Sequence, residues 1–89
     1  MSLTFSFKKI TEGRYSLDVR GLVCPYPQVI ATQTLEEKIK PGEILEIILD
    51  NPPSVRDIPQ ALREKGYKTI EVSNIDERTW KIMVQAKTA

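Results

Sequence analysis

Eighty-nine residues leave room for one domain, and a chain this short hides only about 60–65% of its unfolded surface, enough for one thin core. With 40% hydrophobic and 28% charged residues and a net charge of +1, the composition argues against a strongly basic nucleic-acid binder and a polybasic membrane-surface protein. The absence of histidine removes Cys-His and Ser-His-Asp catalysis and His-containing metal sites within the chain, and a single cysteine cannot close an internal disulfide.

The first residues show no basic region followed by an apolar run, so no signal peptide is expected. No stretch approaches the ~18 apolar residues of a membrane span, so no direct membrane insertion is expected. A free thiol persists in a reducing compartment, which points to the cytoplasm.

Thr4 to Phe7 alternates weakly, and Thr11-Glu12-Gly13 reads as a turn into a better-supported strand from Arg14 to Val19. Residues 1–14 are thus an extra N-terminal strand or an extension of a single 1–89 domain. After Gly21 and Cys24-Pro25-Tyr26-Pro27 the apolar spacing turns helical. A helix is predicted over Pro27 to Ile39, with Pro27 at its first position and Ala31, Leu35 and Ile39, joined by Gln28 or Val29, as its buried stripe. Pro41-Gly42 ends it. The nearly continuous apolar run from Ile44 to Leu49 predicts a central strand.

Asp50-Asn51-Pro52-Pro53 reads as a loop, followed by a helix to about Lys65 with Ser54 as N-cap, Asp57 completing a capping box, and Val55, Ile58 and Leu62 facing inward. Pro59 removes one of its hydrogen bonds. Thr69 to Ser73 and Trp80 to Gln85 then form a hairpin across Asn74 to Arg78. The order βαβαββ predicts an α/β two-layer sandwich, with a mixed sheet of about four strands and both helices on one face.

The chemistry-bearing residue in this pattern is Cys24, at the junction of a strand end and a helix start. Free N–H groups and the positive dipole end there favour a thiolate over a thiol. The bland reading is a small buried hydrophobe. Parallel strands joined by right-handed crossovers put their C-terminal ends on one sheet edge, which would bring Arg56 and Asp57 toward Cys24.

The run Asp18-x-Arg20-Gly21-x-x-Cys24-Pro25-x-Pro27, with Pro41-Gly42-Glu43, Asp50-x-Pro52 and Arg56-Asp57-Ile58-Pro59, resembles the TusA/SirA-type sulfur carriers. The resemblance spans Leu17 to about Lys87 and implies a βαβαββ domain whose cysteine holds sulfane sulfur as a persulfide. Such a domain takes sulfur from a donor protein and passes it to an acceptor protein, without a metal or cofactor. Tyr26 stands where TusA itself is often acidic, and with Trp80-x-Ile82-x-Val84-Gln85 it looks more like the YeeD and YedF branches. YeeD-type proteins work with thiosulfate beside a YeeE-type membrane transporter, so thiosulfate and that transporter are the alternative partners.

The remaining candidates carry competing readings. Pro25 and Pro27 stiffen the loop or touch substrate. Tyr26 is a partner-docking aromatic or a loop cover. Arg20 is an anion guide or an exposed charge, and Asp18 holds the loop by accepting backbone N–H bonds. Arg56 is a second cation beside the thiol, or pairs with Asp57. A regulatory interaction module with an inert cysteine is the reading from another functional class.

Overall fold

The computed structural model describes residues 5–23 and 26–86. Its strands are β1 (Ser6–Thr11), β2 (Arg14–Asp18), β3 (Ile44–Leu49), β4 (Lys68–Asp76) and β5 (Thr79–Gln85), and its helices are α1 (Tyr26–Glu37) and α2 (Pro52–Glu64). The strands form one mixed sheet in the order β1-β2-β3-β5-β4. The expected α/β sandwich is present, with five strands where the sequence pattern gave about four, because the N-terminal segment pairs antiparallel with β2 as a hairpin.

β2 and β3 are parallel and adjacent, with Leu17 opposite Ile47 and Asp18 opposite Ile48. β5 slots antiparallel between β3 and β4, which leaves those two parallel to each other. Both helix connections therefore join parallel strands, and α1 and α2 return across the same face. One cluster shows this: Leu17, Leu45, Ile47, Leu49, Ile82 and Val84 from the sheet pack with Ile30, Ala31 and Leu35 of α1 and Ile58 and Leu62 of α2. Alternation along β3 supplies half of that face, since Leu45, Ile47 and Leu49 are fully buried and their neighbours are not. On the opposite face, Glu46 accepts from Arg14 at 2.9 Å and lies 3.7 Å from Lys81, so one carboxylate joins three strands.

Several element details differ from the pattern reading. α1 buries Pro27, Ile30, Ala31, Thr34 and Leu35, while Val29 stays 45% exposed, so neither Gln28 nor Val29 completes the stripe. Thr34 fits the apolar face because its hydroxyl donates to the Ile30 carbonyl at 2.8 Å. α1 ends at Glu37 instead of running to Ile39, which is buried beyond the helix. The cause is a turn, Lys40-Pro41-Gly42-Glu43, closed by Glu43 N–H to Lys40 O at 3.0 Å with Gly42 at φ 87°.

The larger correction concerns α2. Pro52 and Pro53 do not form a loop but occupy its first turn, where their missing N–H groups have no intrahelical partner to lose. The N-cap is Asn51 and not Ser54: Asn51 Oδ1 accepts from Ser54 N–H at 3.3 Å and Ser54 Oγ–H at 2.8 Å. Ser54 is itself only 1% exposed, so its hydroxyl needs that partner. The β4–β5 connection is also shorter than expected, because the strands extend to Asp76 and Thr79 around a two-residue loop.

Replacing Asn51 by Ala should lower unfolding stability by about 1 kcal/mol, and Asn51→Asp, which keeps the acceptor beside the helix dipole, should recover most of it. Urea denaturation of the three proteins measures this; equal midpoints would remove the capping role.

Candidate functional site

The C-terminal ends of β2 and β3 lie side by side, and the segments leaving them meet at one sheet edge. After Asp18 the chain makes one last ladder bond, Val19 N–H to Ile48 O at 2.8 Å, and Val19 is fully buried. It then turns back, with Leu22 N–H donating to Val19 O at 3.3 Å. Gly21 sits at the third position of that turn with φ 88°, a conformation a side chain strains. The Gly21 N–H donates to Asp50 Oδ1 at 2.9 Å. A carboxylate at the end of β3 thereby fixes the loop that leaves β2.

Asp18 organises the same loop from the other side. Its Oδ1 accepts from the Arg20 N–H at 3.0 Å, while the Arg20 guanidinium grips both oxygens, Nε to Oδ1 at 3.0 Å and a terminal nitrogen to Oδ2 at 2.8 Å. This fork-to-carboxylate pair holds the Asp18 pKa below the ordinary aspartate value. Arg20 is raised chiefly by Asp18, with Asp50 and Asp76 adding to the effect, so the guanidinium faces several carboxylates. Its charge is thus already committed to Asp18, which weakens the picture of a free anion guide.

Beyond the anchored turn, Val23 is 58% exposed. Cys24 and Pro25 lie outside the described residues. The chain is described again at Tyr26, whose N–H donates to Val23 O at 3.0 Å and whose ring is 45% exposed. Pro27, in the first turn of α1, is buried and wedges the helix start against the core. No acidic residue occupies that first turn, so no side-chain carboxylate of its own opposes the positive end of the helix dipole.

Arg56 faces a different hollow from the one that Arg20 lines. It lines a groove between α2 and β4 with Arg63, Tyr67 and Lys68, while a separate hollow at the strand edge is lined by Asp18, Arg20, Gly21, Asp50 and Thr79. Asp57 faces Gln28 of α1 across a third, smaller depression. Arg20 and Asp50 thus share one hollow at the strand ends, while Arg56 lines the groove between α2 and β4. The sequence pattern puts Asp50 in a loop and in the Asp50-x-Pro52 motif but assigns neither it nor Asn51 a role; an acidic residue closing a parallel strand, next to an Asn before two prolines, is the signal for both.

The fold is a small α/β sandwich whose anchored loop leads toward a helix start at its strand-end edge. The comparisons are more specific. The family described as "Sulfurtransferase TusA" matches residues 15–86, and the chain belongs to that family. A "Putative sulfur carrier protein" of Archaeoglobus fulgidus is 38% identical over 76 residues, 85% of each chain. One from Thermotoga maritima is 40% identical over 81% of this chain and 90% of its own. The "Putative sulfur carrier protein YedF" of Escherichia coli K12 is 37% identical over 80% and 90%. The crystal structure of a SirA-like protein from Desulfitobacterium hafniense superposes with a TM-score of 0.71 at 25% identity, covering 81% of this chain and 96% of that one.

Two measurements probe the anchoring. Asp50→Ala should speed hydrogen exchange at the Gly21 amide by about tenfold relative to amides in β3, the loss of one charge-assisted bond; unchanged exchange would show that the loop does not depend on β3. The second concerns pH. Because the Asp18 pKa is lowered in the folded chain, its stabilisation is complete above the unfolded value of about 3.9 and is lost as pH falls through the folded value. Asp18→Asn should therefore flatten the acid limb of the stability curve below about pH 4; an identical limb would show that the Arg20 pair contributes nothing.

Proposed function

We propose that this protein is a sulfur carrier, with Cys24 as the group that takes up sulfane sulfur as a persulfide and relays it to an acceptor protein. The observation that carries the reading is the anchored Asp18–Val23 loop, tied to Asp50 and followed in sequence by Cys24-Pro25 and by Tyr26-Pro27 in the first turn of α1, in a chain of the TusA family. Relatives named as sulfur carriers support it across most of their length.

The chemistry is an exchange at sulfur. The Cys24 thiolate attacks the terminal sulfur of a donor persulfide, the donor S–S bond breaks, and the donor leaves as a thiolate. An acceptor thiolate then attacks the outer sulfur of the Cys24 persulfide and releases the Cys24 thiolate, so no net oxidant or reductant is consumed. Thiosulfate serves the first step equally in balance, with sulfite as the leaving group. The positive end of the α1 dipole favours anionic sulfur in both states.

Relay requires contact with two proteins in turn, and the neighbours of the motif suit that task. Val23, Tyr26 and Val29 are each at least 45% exposed and bracket position 24 in sequence. Exposed apolar and aromatic side chains of this kind are those that docking buries. Tyr26 in this reading is a contact residue for donor and acceptor, and Asp18 and Arg20 position the loop without touching sulfur.

Incubation with a persulfide donor should add one sulfur mass to the intact protein, and Cys24→Ser should abolish the gain while leaving the melting temperature within the range of a surface substitution. A variant that still gains sulfur would overturn the assignment. Sulfite release on incubation with thiosulfate alone identifies thiosulfate as a direct donor; loading only from protein persulfides assigns the relay form.

A further inference from the structure

Away from the Cys24 loop, α2 and the start of β4 enclose an open groove of about 750 Å3, lined by Arg56, Gln60, Arg63, Glu64, Tyr67 and Lys68. Arg14, Arg20, Lys9, Lys65 and Lys81 are each committed to a carboxylate. Lys8, Lys38, Lys40, Arg56, Arg63, Lys68 and Arg78 have no carboxylate within ion-pair distance among the described residues, and of these Arg56, Arg63 and Lys68 are exposed and line this groove together. Thr69 also lines it, and its hydroxyl is buried without a hydrogen-bond partner.

Past Lys68 and Thr69, which line the groove, β4 continues as an edge strand of nine residues, and among the described residues no strand pairs with its side turned away from β5. Ile70 and Val72 on it are each 45% exposed. A free strand edge beside a row of unpaired cations recognises an extended chain with negative side chains.

We propose that the α2–β4 groove is the docking channel for an extended acidic segment of a partner protein, which lies along β4 with its carboxylates toward Arg56, Arg63 and Lys68. The segment gains main-chain hydrogen bonds from β4 and apolar contact from Ile70 and Val72. Irregularities in β4 between Thr69 and Glu71 and between Asn74 and Asp76 limit regular pairing to a short stretch, so the cations supply much of the affinity. The spacing disfavours a single small anion. Arg56 and Arg63 are seven positions apart, about 10 Å along the helix, farther than one small anion spans. A nucleic acid is a poorer match, since the chain has a net charge of +1 and Tyr67 is the one aromatic ring lining the groove.

This inference rests on the carrier reading only for the existence of a protein partner. Its test uses no sulfur chemistry. A fluorescein-labelled peptide of alternating Glu and Val is titrated with the full chain by fluorescence anisotropy, beside the same peptide with Gln for Glu. The Glu peptide should bind at least about tenfold more tightly, and Arg63→Glu with Lys68→Glu should remove that advantage, with thermal melts confirming that the variant folds. Higher salt should weaken the Glu peptide alone. Absent or equal binding of the two peptides, an unaffected variant, or tighter binding of single-stranded RNA would each overturn the proposal. So would a dimer, seen by sedimentation, that dissociates in the Lys68 variant, because it assigns the edge to a second copy. Sulfur loading of Cys24 is read separately by mass, so loading without peptide binding rejects the groove and leaves the carrier reading in place.

Discussion

The hydrogen bond from the Gly21 amide to Asp50 Oδ1 joins the two segments that leave the parallel pair β2 and β3, and it ties the Asp18–Val23 loop to the end of β3. A loop with a left-handed glycine is easily bent, and its local bonds do not tie it to the rest of the sheet. Pinning its backbone to a carboxylate on the neighbouring strand converts that freedom into a defined direction. The Asp18–Arg20 fork adds a second constraint on the same few residues. The bond is possible only because β2 and β3 run parallel with their ends in register.

The architecture makes that edge available at low cost. Inserting β5 between β3 and β4 lets a sheet of five strands keep both helices on one face and one continuous core beneath them. The uncovered face is wetted by the Arg14–Glu46–Lys81 cluster, in which one carboxylate serves two cations from different strands. Stability thus comes from the helix-covered side and strand-end chemistry stays clear of the core. A short chain that must meet two partners in succession gains from this separation, because docking at the edge need not disturb the packing.

Charge is distributed unevenly despite a near-neutral total. Arg20 is saturated by Asp18 and looks toward Asp50 and Asp76, whereas Arg56, Arg63 and Lys68 share a groove where Glu64 is the one acidic residue. The strand-end loop therefore offers an oriented backbone and exposed apolar side chains, and the α2–β4 side offers positive charge. In the proposed carrier, one surface performs the exchange and the other selects its partner.

The sequence alone determined the fold class, the element order and the core face of β3. Hydrophobic periodicity is a property of neighbouring residues, and proline and glycine punctuation is equally local. It also determined the family, through motifs spread from Asp18 to Pro59. Local rules failed where a residue's role depends on its context. Pro52 and Pro53 are breakers in an interior but ordinary in a first helical turn, and only the observed start of α2 decides between these. Thr34 replaced Val29 on the buried face of α1 because the core position of the helix, not hydropathy, fixed its rotation. The pairing of Gly21 with Asp50, across 29 positions, and the placing of Arg56 on the α2–β4 groove are set by strand register and helix rotation, which arise only when the whole sheet is assembled.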